Sequence, residues 1–124
     1  MLPRDQFEAL VDEALASLPT FFQEKMDNVA VFVRTWPTQD DLRRAGVPPG
    51  HTLLGLYSGI PLTRRTSAYN LVAPDNITLF QGPIEAVSRG ELSRIREQVR
   101  HTVIHELAHY FGISDDRLRE LGAY

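Results

Sequence analysis

The sequence predicts an α+β fold in which a small mixed sheet of three or four strands packs against helices. In two segments, one near the start of the chain and a longer one near its end, apolar residues recur at three- and four-residue steps. Between them lie three short runs of apolar and β-branched residues, which are typical of strands. The predicted order is α, β, α, β, loop, β, α, α, and it favours a sheet backed by helices.

The first half of the chain supplies two of the helices and one strand. Pro3 suits a first helical turn and Pro19 ends that helix, while Thr38 with Asp41 three residues later predicts a second start that Gly46 would terminate. The predicted elements are a helix over residues 3–18, a short turn over 21–26, a buried strand over 29–33 and a short helix over 39–45.

The second half supplies two more strands and the longest helix. Strands are predicted over residues 52–57 and 77–81, and the long connection from Ser58 to Asn76 is either a functional lid or a loosely ordered excursion. Gly82-Pro83 ends the third strand, and a brief turn over residues 84–87 follows. A long amphipathic helix begins near Glu91, and residues 114–121 predict a final short helix.

Composition limits the classes of function. The chain contains no cysteine, which excludes disulfides and thiolate ligands, so a metal ion would need His, Asp or Glu. The net charge of −3 gives no reason to expect a nucleic-acid partner. The first ten residues lack a signal-peptide core, and no apolar run approaches the roughly 20 residues that span a bilayer. We therefore expect a cytoplasmic protein with no membrane partner, built as a single domain over residues 1–124.

The late helix contains His105, Glu106 and His109. Two histidines four residues apart lie on one helix face, about one turn from each other. At that separation two imidazoles can converge on one zinc ion, Zn²⁺, and the intervening glutamate can act on a metal-activated water. The spacing therefore predicts His105 and His109 as metal ligands and Glu106 as the catalytic group.

A third ligand is predicted just beyond the helix. Gly112 can take the left-handed conformation that ends a helix and turns the chain back, which would bring Asp115 toward the metal. Asp116 is a weaker alternative. Three protein ligands with one open position are typical of catalytic rather than structural zinc.

The chemistry follows from this set of residues. Zinc lowers the pKa of a bound water toward about 7 and polarises a substrate carbonyl. Glu106 would take the proton from the water and deliver it to the leaving amine. These residues predict peptide-bond hydrolysis without a covalent intermediate, on a peptide or protein substrate.

The run from His105 to Asp115 resembles the zincin metallopeptidases, and its Gly112 and Asp115 are similar to the extended metzincin pattern in its aspartate variant. The chain from about residue 28 also resembles a smaller group, the short bacterial zincin-like metallopeptidases or minimal zincins. The runs that carry this resemblance are Leu53-Leu54-Gly55-Leu56-Tyr57, Ile60-Pro61-Leu62-Thr63, Ile77-Thr78-Leu79-Phe80 with Gly82-Pro83-Ile84, and Phe111-Gly112-Ile113-Ser114-Asp115-Asp116-Arg117-Leu118. The resemblance implies a small zincin-like domain and zinc peptidase activity.

One departure from the metzincin pattern keeps an alternative open. Metzincins carry a methionine-containing turn after the third ligand, and this chain has no methionine after Met26. The alternative is a metal-binding regulatory or interaction domain with little or no proteolytic activity. A nuclease or deaminase is disfavoured because the chain lacks a basic surface and cysteine ligands.

Several further residues are candidates with no single assignment. His101, one turn before His105, is predicted to be solvated or packed, with a position in the cleft as the alternative, and His51 is predicted to be at the surface. Residues 77–81 are the hypothesis for the sheet edge that binds substrate, although their apolar character equally fits a central strand. The candidate donors to the oxyanion are Tyr57, Tyr69, Tyr110, Arg64 and Arg65.

Overall fold

The structure is a computed structural model that describes residues 1–59 and 75–122. Within them lie six α-helices, one short 3₁₀ turn and three β-strands. In chain order they are α1 (Arg4–Ala16), α2 (Thr20–Lys25), the 3₁₀ turn (Met26–Asn28), β1 (Val29–Arg34), α3 (Gln39–Arg44), β2 (Gly55–Gly59), β3 (Asp75–Phe80), α4 (Gln81–Val87), α5 (Leu92–Phe111) and α6 (Asp115–Glu120). None of these helices is long and apolar enough to cross a membrane.

The strands form a mixed sheet in the order β1-β3-β2. Strand β3 is central: it pairs in parallel with β1, where Val31 is opposite Ile77, and antiparallel with β2, where Tyr57 is opposite Ile77. Ile77 is fully buried, as expected for the middle of the central strand. The predicted α+β class is confirmed, and the mixed sheet of the described residues has three strands, within the predicted three or four.

Strand β1 occupies an edge of the sheet, where the sequence predicted a buried strand. None of its six residues is buried, and Phe32 is 54% exposed. Within the described residues β1 pairs only with β3, so one side of the strand has no neighbouring strand to cover it. A continuous apolar run therefore indicated a strand correctly but not its position in the sheet.

Strand β2 begins later than predicted, at Gly55 rather than Thr52. Its pairing with β3 starts where the Phe80 N–H donates to the Leu54 carbonyl at 2.9 Å. Because β3 ends at Phe80, the residues before Leu54 have no partner on that strand. Of the long connection predicted from Ser58 to Asn76, residues 60–74 lie outside the described residues.

Helix α4 occupies the position where a brief turn was predicted. It begins directly at Gln81, so the strand predicted to reach that residue ends one residue earlier. Pro83 lies in the first turn of α4, where the backbone N–H groups have no partner within the helix and a missing N–H therefore costs little. The Gly82-Pro83 pair thus marks a helix start in this chain.

The hydrophobic core lies between α1, α5 and the sheet. Helix α5 buries a stripe at three- and four-residue steps against this core, as predicted, while Leu92 and Phe111 at its two ends are exposed. The fully buried aliphatic side chains of the core include Ile77, Leu79, Ile84, Ile95, Val99, Val103 and Leu107. One face of α5 is therefore packed against the core, and the opposite face carries exposed side chains.

Candidate active site

Helix α5 carries His105, Glu106 and His109 away from the core. Their neighbours Val103 and Leu107 are fully buried, so helical periodicity turns the two histidines outward, and both are exposed. The centroids of the two imidazole rings lie 6.3 Å apart. This separation is close to the rise of four helical residues, about 6 Å, so the rings lie one turn apart along the same face.

Glu106 is fixed by strand β2. Its Oε1 accepts a hydrogen bond from the Tyr57 backbone N–H at 3.0 Å, and the side chain is partly buried. In an antiparallel pair, successive residues point their backbone groups alternately toward and away from the partner strand. The Leu54 carbonyl faces β3, where it accepts from the Phe80 N–H. Tyr57 lies three positions later, so its N–H points away from β3 and reaches helix α5.

The environment of Glu106 raises the pKa of its carboxyl group. Burial is the largest cause, because it disfavours the charged form. The Tyr57 N–H and the nearby His105 and His109 act in the opposite direction and limit the rise. A carboxyl group with a raised pKa is a better proton acceptor, which suits a general base.

A cleft of about 460 Å³ opens above these three residues. Tyr57 and Tyr110 stack within it, with ring centroids 4.0 Å apart and planes 18° apart. The Tyr57 hydroxyl donates to Asp75 Oδ2 at 2.7 Å, which anchors the stack to the start of β3. The cleft is lined by Arg44, Ala45, Leu53, Leu56, Tyr57, His105, Glu106, His109 and Tyr110.

A second cavity of about 380 Å³ continues the cleft along α5. It shares Leu53, His105 and Glu106 with the first, and it adds His101 and Thr102. His101 is exposed, which agrees with the solvated position predicted for it, and it also lines this extension of the cleft. His51 is exposed, as predicted.

The predicted third ligand is not assembled with the two histidines. Asp115 is the first residue of α6, is exposed, and does not line the cleft. In residues 1–59 and 75–122, no three His, Asp or Glu side chains lie together as a set that would hold a metal ion. The helix end itself is as predicted: Gly112 is left-handed at φ 67°, and the Ile113 N–H donates to the Ala108 carbonyl at 2.8 Å.

The donor chemistry of the site fits zinc in part. Imidazole is a good zinc ligand, and His105 with His109 supplies two of the three protein ligands of a catalytic site. Asp115 as the third ligand stays a prediction. Asp116, the weaker alternative, accepts from Arg119 Nη1 at 3.1 Å on the surface of α6.

Two of the five candidate oxyanion donors, Tyr57 and Tyr110, line the cleft. Arg64, Arg65 and Tyr69 lie outside the described residues. The hydroxyl of Tyr57 is engaged by Asp75, which leaves Tyr110 as the candidate whose ring lines the cleft next to His109.

Arg44 is a cleft residue that the sequence did not indicate. It ends α3, and its guanidinium pairs with Asp41 at 3.1 Å and Asp40 at 3.5 Å. Its place in the cleft depends on contacts between segments far apart in the chain, and local spacing carries no signal of them.

The hypothesis that residues 77–81 form the substrate-binding edge is wrong. Strand β3 has neighbours on both sides, so its backbone groups are used within the sheet. Among the described strands, β2 is the edge strand next to α5, and its Tyr57 N–H faces the cleft.

Comparison with known proteins identifies the family of the chain. No curated protein matches it. A model of the zincin-like metallopeptidase family matches residues 26–123, which include strand β1, the sheet, the cleft and helix α5. The chain therefore belongs to the zincin-like metallopeptidase family.

Proposed function

We propose that this protein is a zinc-dependent peptidase that hydrolyses peptide bonds of a peptide or protein substrate, with Glu106 as general base. The observation that carries the proposal is the cleft in which His105, Glu106 and His109 lie together on the outer face of α5. When bound, zinc would polarise the substrate carbonyl and lower the pKa of a water molecule to about 7. Membership of a metallopeptidase family supports the same chemistry.

His105 and His109 would hold the ion, and we propose Asp115 as the third ligand. Support for Asp115 comes from its position three residues after the left-handed turn at Gly112. Its carboxylate is exposed, and it makes no hydrogen bond or ion pair within the part of the chain that the structure describes. The carboxylate is therefore not committed to another partner there.

Glu106 would move the proton. The Tyr57 N–H holds Oε1, so Oε2 is the oxygen that is left to accept a proton from the attacking water. As the water oxygen bonds to the carbonyl carbon, its proton passes to Oε2, and Glu106 then gives that proton to the amide nitrogen as the C–N bond breaks. The raised pKa of Glu106 favours this acceptance.

The lining of the cleft supports an extended peptide as the ligand. Leu53, Leu56 and the Tyr110 ring supply apolar surface beside the polar residues of α5. The Tyr57 N–H of β2 donates to Glu106, so this strand and the glutamate are adjacent. A peptide lying along β2 would therefore place its backbone near Glu106.

The test is the Glu106→Gln variant, which keeps the shape of the side chain and removes its basicity. We expect the variant to retain zinc and to lose about a hundredfold or more of its peptide hydrolysis, because a general base contributes about 10²–10⁴-fold. Zinc content by mass spectrometry and cleavage of a peptide library measure the two effects.

Glu97→Gln is the matched control, because Glu97 is an exposed residue on the same helix. This control should retain both zinc and activity. Full cleavage by Glu106→Gln would remove Glu106 from the proposed role.

A second candidate function is a metal-binding regulatory or interaction domain that cleaves little. The observation that favours it is that His105 and His109 are exposed to the cleft as candidate metal ligands, whereas the hydroxyl of Tyr57, a candidate oxyanion donor, is engaged by Asp75. The same peptide library separates the two functions. Glu106-dependent cleavage by the zinc-loaded protein excludes the second candidate, whereas zinc binding with no cleavage supports it.

A further inference from the structure

Helix α5 carries a row of three histidines rather than a pair. His101, His105 and His109 follow one another at four-residue steps, and all three are exposed. The ring centroids of His101 and His105 lie 6.4 Å apart, against 6.3 Å for His105 and His109. The first pair is therefore spaced for a shared ion as well as the second is.

One ion does not reach all three rings. Eight helical residues rise about 12 Å, so His101 and His109 are too far apart to share an ion whose bonds to nitrogen are about 2 Å long. Each outer histidine can share an ion only with His105. The row therefore offers two overlapping pairs with one member in common.

The surroundings of the first pair leave its nitrogens available. His101 and His105 line the 380 Å³ extension of the cleft together with Glu106. The polar neighbours there bond to each other, since Gln98 Nε2 donates to Thr102 Oγ1 at 3.2 Å. Within residues 1–59 and 75–122, no side chain or backbone group hydrogen-bonds to the His101 imidazole.

We propose that His101 and His105 form a second divalent-metal site, which takes Zn²⁺ or Ni²⁺ in place of an ion held by His105 and His109. Imidazole suits both ions. With two protein ligands and water at the remaining positions, this site binds more weakly than a three-ligand site. Occupation of the two pairs is mutually exclusive because both need His105.

The proposed site would bind metal whether or not the protein is a peptidase. Its occupation would also change the metal ligands available in the cleft. An ion held by His101 and His105 lies in the extension of the cleft and withdraws His105 from the pair that contains His109. Excess metal would therefore compete with the arrangement proposed for hydrolysis.

The test removes the second pair and leaves the first. In His109→Ala, a Zn²⁺ titration at about pH 7.5 should show binding at least about tenfold tighter than in the double variant His101→Ala/His109→Ala. Competition with a chromophoric zinc indicator gives the affinity, and ¹⁵N chemical shifts of the imidazole rings report whether His101 and His105 respond together. Equal affinity in the single and double variants would overturn the proposal.

His51→Ala/His109→Ala is the matched control, since His51 is exposed and lies outside α5. It should bind Zn²⁺ as His109→Ala does, and a loss of binding equal to that of the double variant would contradict the assignment to His101. Circular dichroism confirms that each variant is folded.

Exclusivity is tested in the chain with all four histidines. The row should take one Zn²⁺ per chain, and the imidazole signals of His101 and His109 should not both shift to bound positions in the same molecule. Two ions on the row would overturn the sharing of His105. Peptide cleavage enters none of these measurements, so failure of the proposed hydrolysis leaves the result unaffected.

Discussion

Gly55 has no room for a side chain. A Cβ built on it would lie 2.7 Å from Thr102 Cγ2 on α5 and 3.3 Å from the Thr78 carbonyl oxygen on β3. The glycine therefore permits the close approach of β2 to α5. Two residues further along β2, the Tyr57 N–H reaches Glu106, so the position of this proposed general base depends on the approach.

Gly55→Ala should weaken both the fold and the site. The added methyl group pushes β2 away from α5, and we expect a loss of about 1–3 kcal/mol in the free energy of unfolding, as for overpacked cores. Peptide hydrolysis should fall as well, because Glu106 loses its fixed position. Urea denaturation and the peptide assay measure the two effects.

Thr102→Ser supplies the control for this clash. It removes the methyl group that a Cβ at position 55 would contact and keeps the hydroxyl that accepts from Gln98. The double variant Gly55→Ala/Thr102→Ser should recover part of the lost stability. No recovery would mean that contact with Thr102 is not the cause.

At the residue scale, sequence spacing predicted those parts of the site that one helix carries. His105, Glu106 and His109 lie together because a regular helix sets their relative positions. The Tyr57 amide and Arg44 were missed, since each enters the cleft through packing of a distant element against α5. The identity of a residue carries no information about its backbone N–H, so the partner of Glu106 had no sequence signal.

Helix α3 begins with a capping box and ends at Arg44, which lines the cleft. The Thr38 hydroxyl accepts from the Asp41 N–H at 3.0 Å, and Asp41 Oδ2 accepts from the Thr38 N–H at 2.8 Å, which is a capping box. The Thr38 backbone hydrogen bond is the largest cause of the lowered pKa of Asp41. Asp41 also pairs with Arg44, which lines the cleft.

Asp41→Ala should lower the free energy of unfolding by about 1 kcal/mol at neutral pH, through loss of the capping box. The folded-state pKa of Asp41 lies below its unfolded value of about 3.9, so the carboxylate stabilises the fold fully above that value. The contribution is lost as the pH falls through the folded-state pKa. Urea denaturation of both proteins at about pH 7 and about pH 2.5 should show a difference that shrinks in acid.

Asp40→Ala is the control for this pH dependence. Asp40 lies on the same helix, but its side chain is 66% exposed and its ion pairs with Arg43 and Arg44 are each 3.5 Å long. Its effect should be small. A difference for Asp41→Ala that is independent of pH would contradict the assigned role of the carboxylate.

At the element scale, local signals predicted α1, α3, α5 and α6 well, but they missed α4 and predicted the strand positions poorly. The capping pair Thr38 and Asp41 located α3, and apolar periodicity located α5. The central place of β3 and the edge place of β1 depend on which strands pair, and pairing is a contact between distant segments. An apolar run fits either position, which is why β1 was predicted to be buried.

At the scale of the whole molecule, α5 joins the core to the site. Leu107 is fully buried in the core, and the adjacent residue Glu106 lines the cleft. The stability of the fold and the geometry of the cleft therefore depend on the same helix.

Leu107→Ala should lower the free energy of unfolding by about 2–5 kcal/mol, because it leaves a cavity in the core. Leu92→Ala is the matched control: Leu92 begins the same helix but is 56% exposed, and its loss should cost within about 0.5 kcal/mol. Urea denaturation compares them. Similar losses for the two variants would contradict the assignment of the buried face of α5.

Zinc should stabilise the whole fold through the exposed face of this helix. A ligand that binds only the folded state at a concentration of 100 Kd raises the free energy of unfolding by about 2.7 kcal/mol, so Zn²⁺ should raise Tm by several degrees. The rise should vanish in His105→Ala, which removes the histidine common to both pairs, and persist in the surface control His51→Ala. Leu107→Ala should gain the same free energy from zinc as the unchanged protein, because the gain depends only on affinity for the folded state. Scanning calorimetry with and without Zn²⁺ measures these shifts, and an equal rise in His105→Ala would place the bound zinc away from α5.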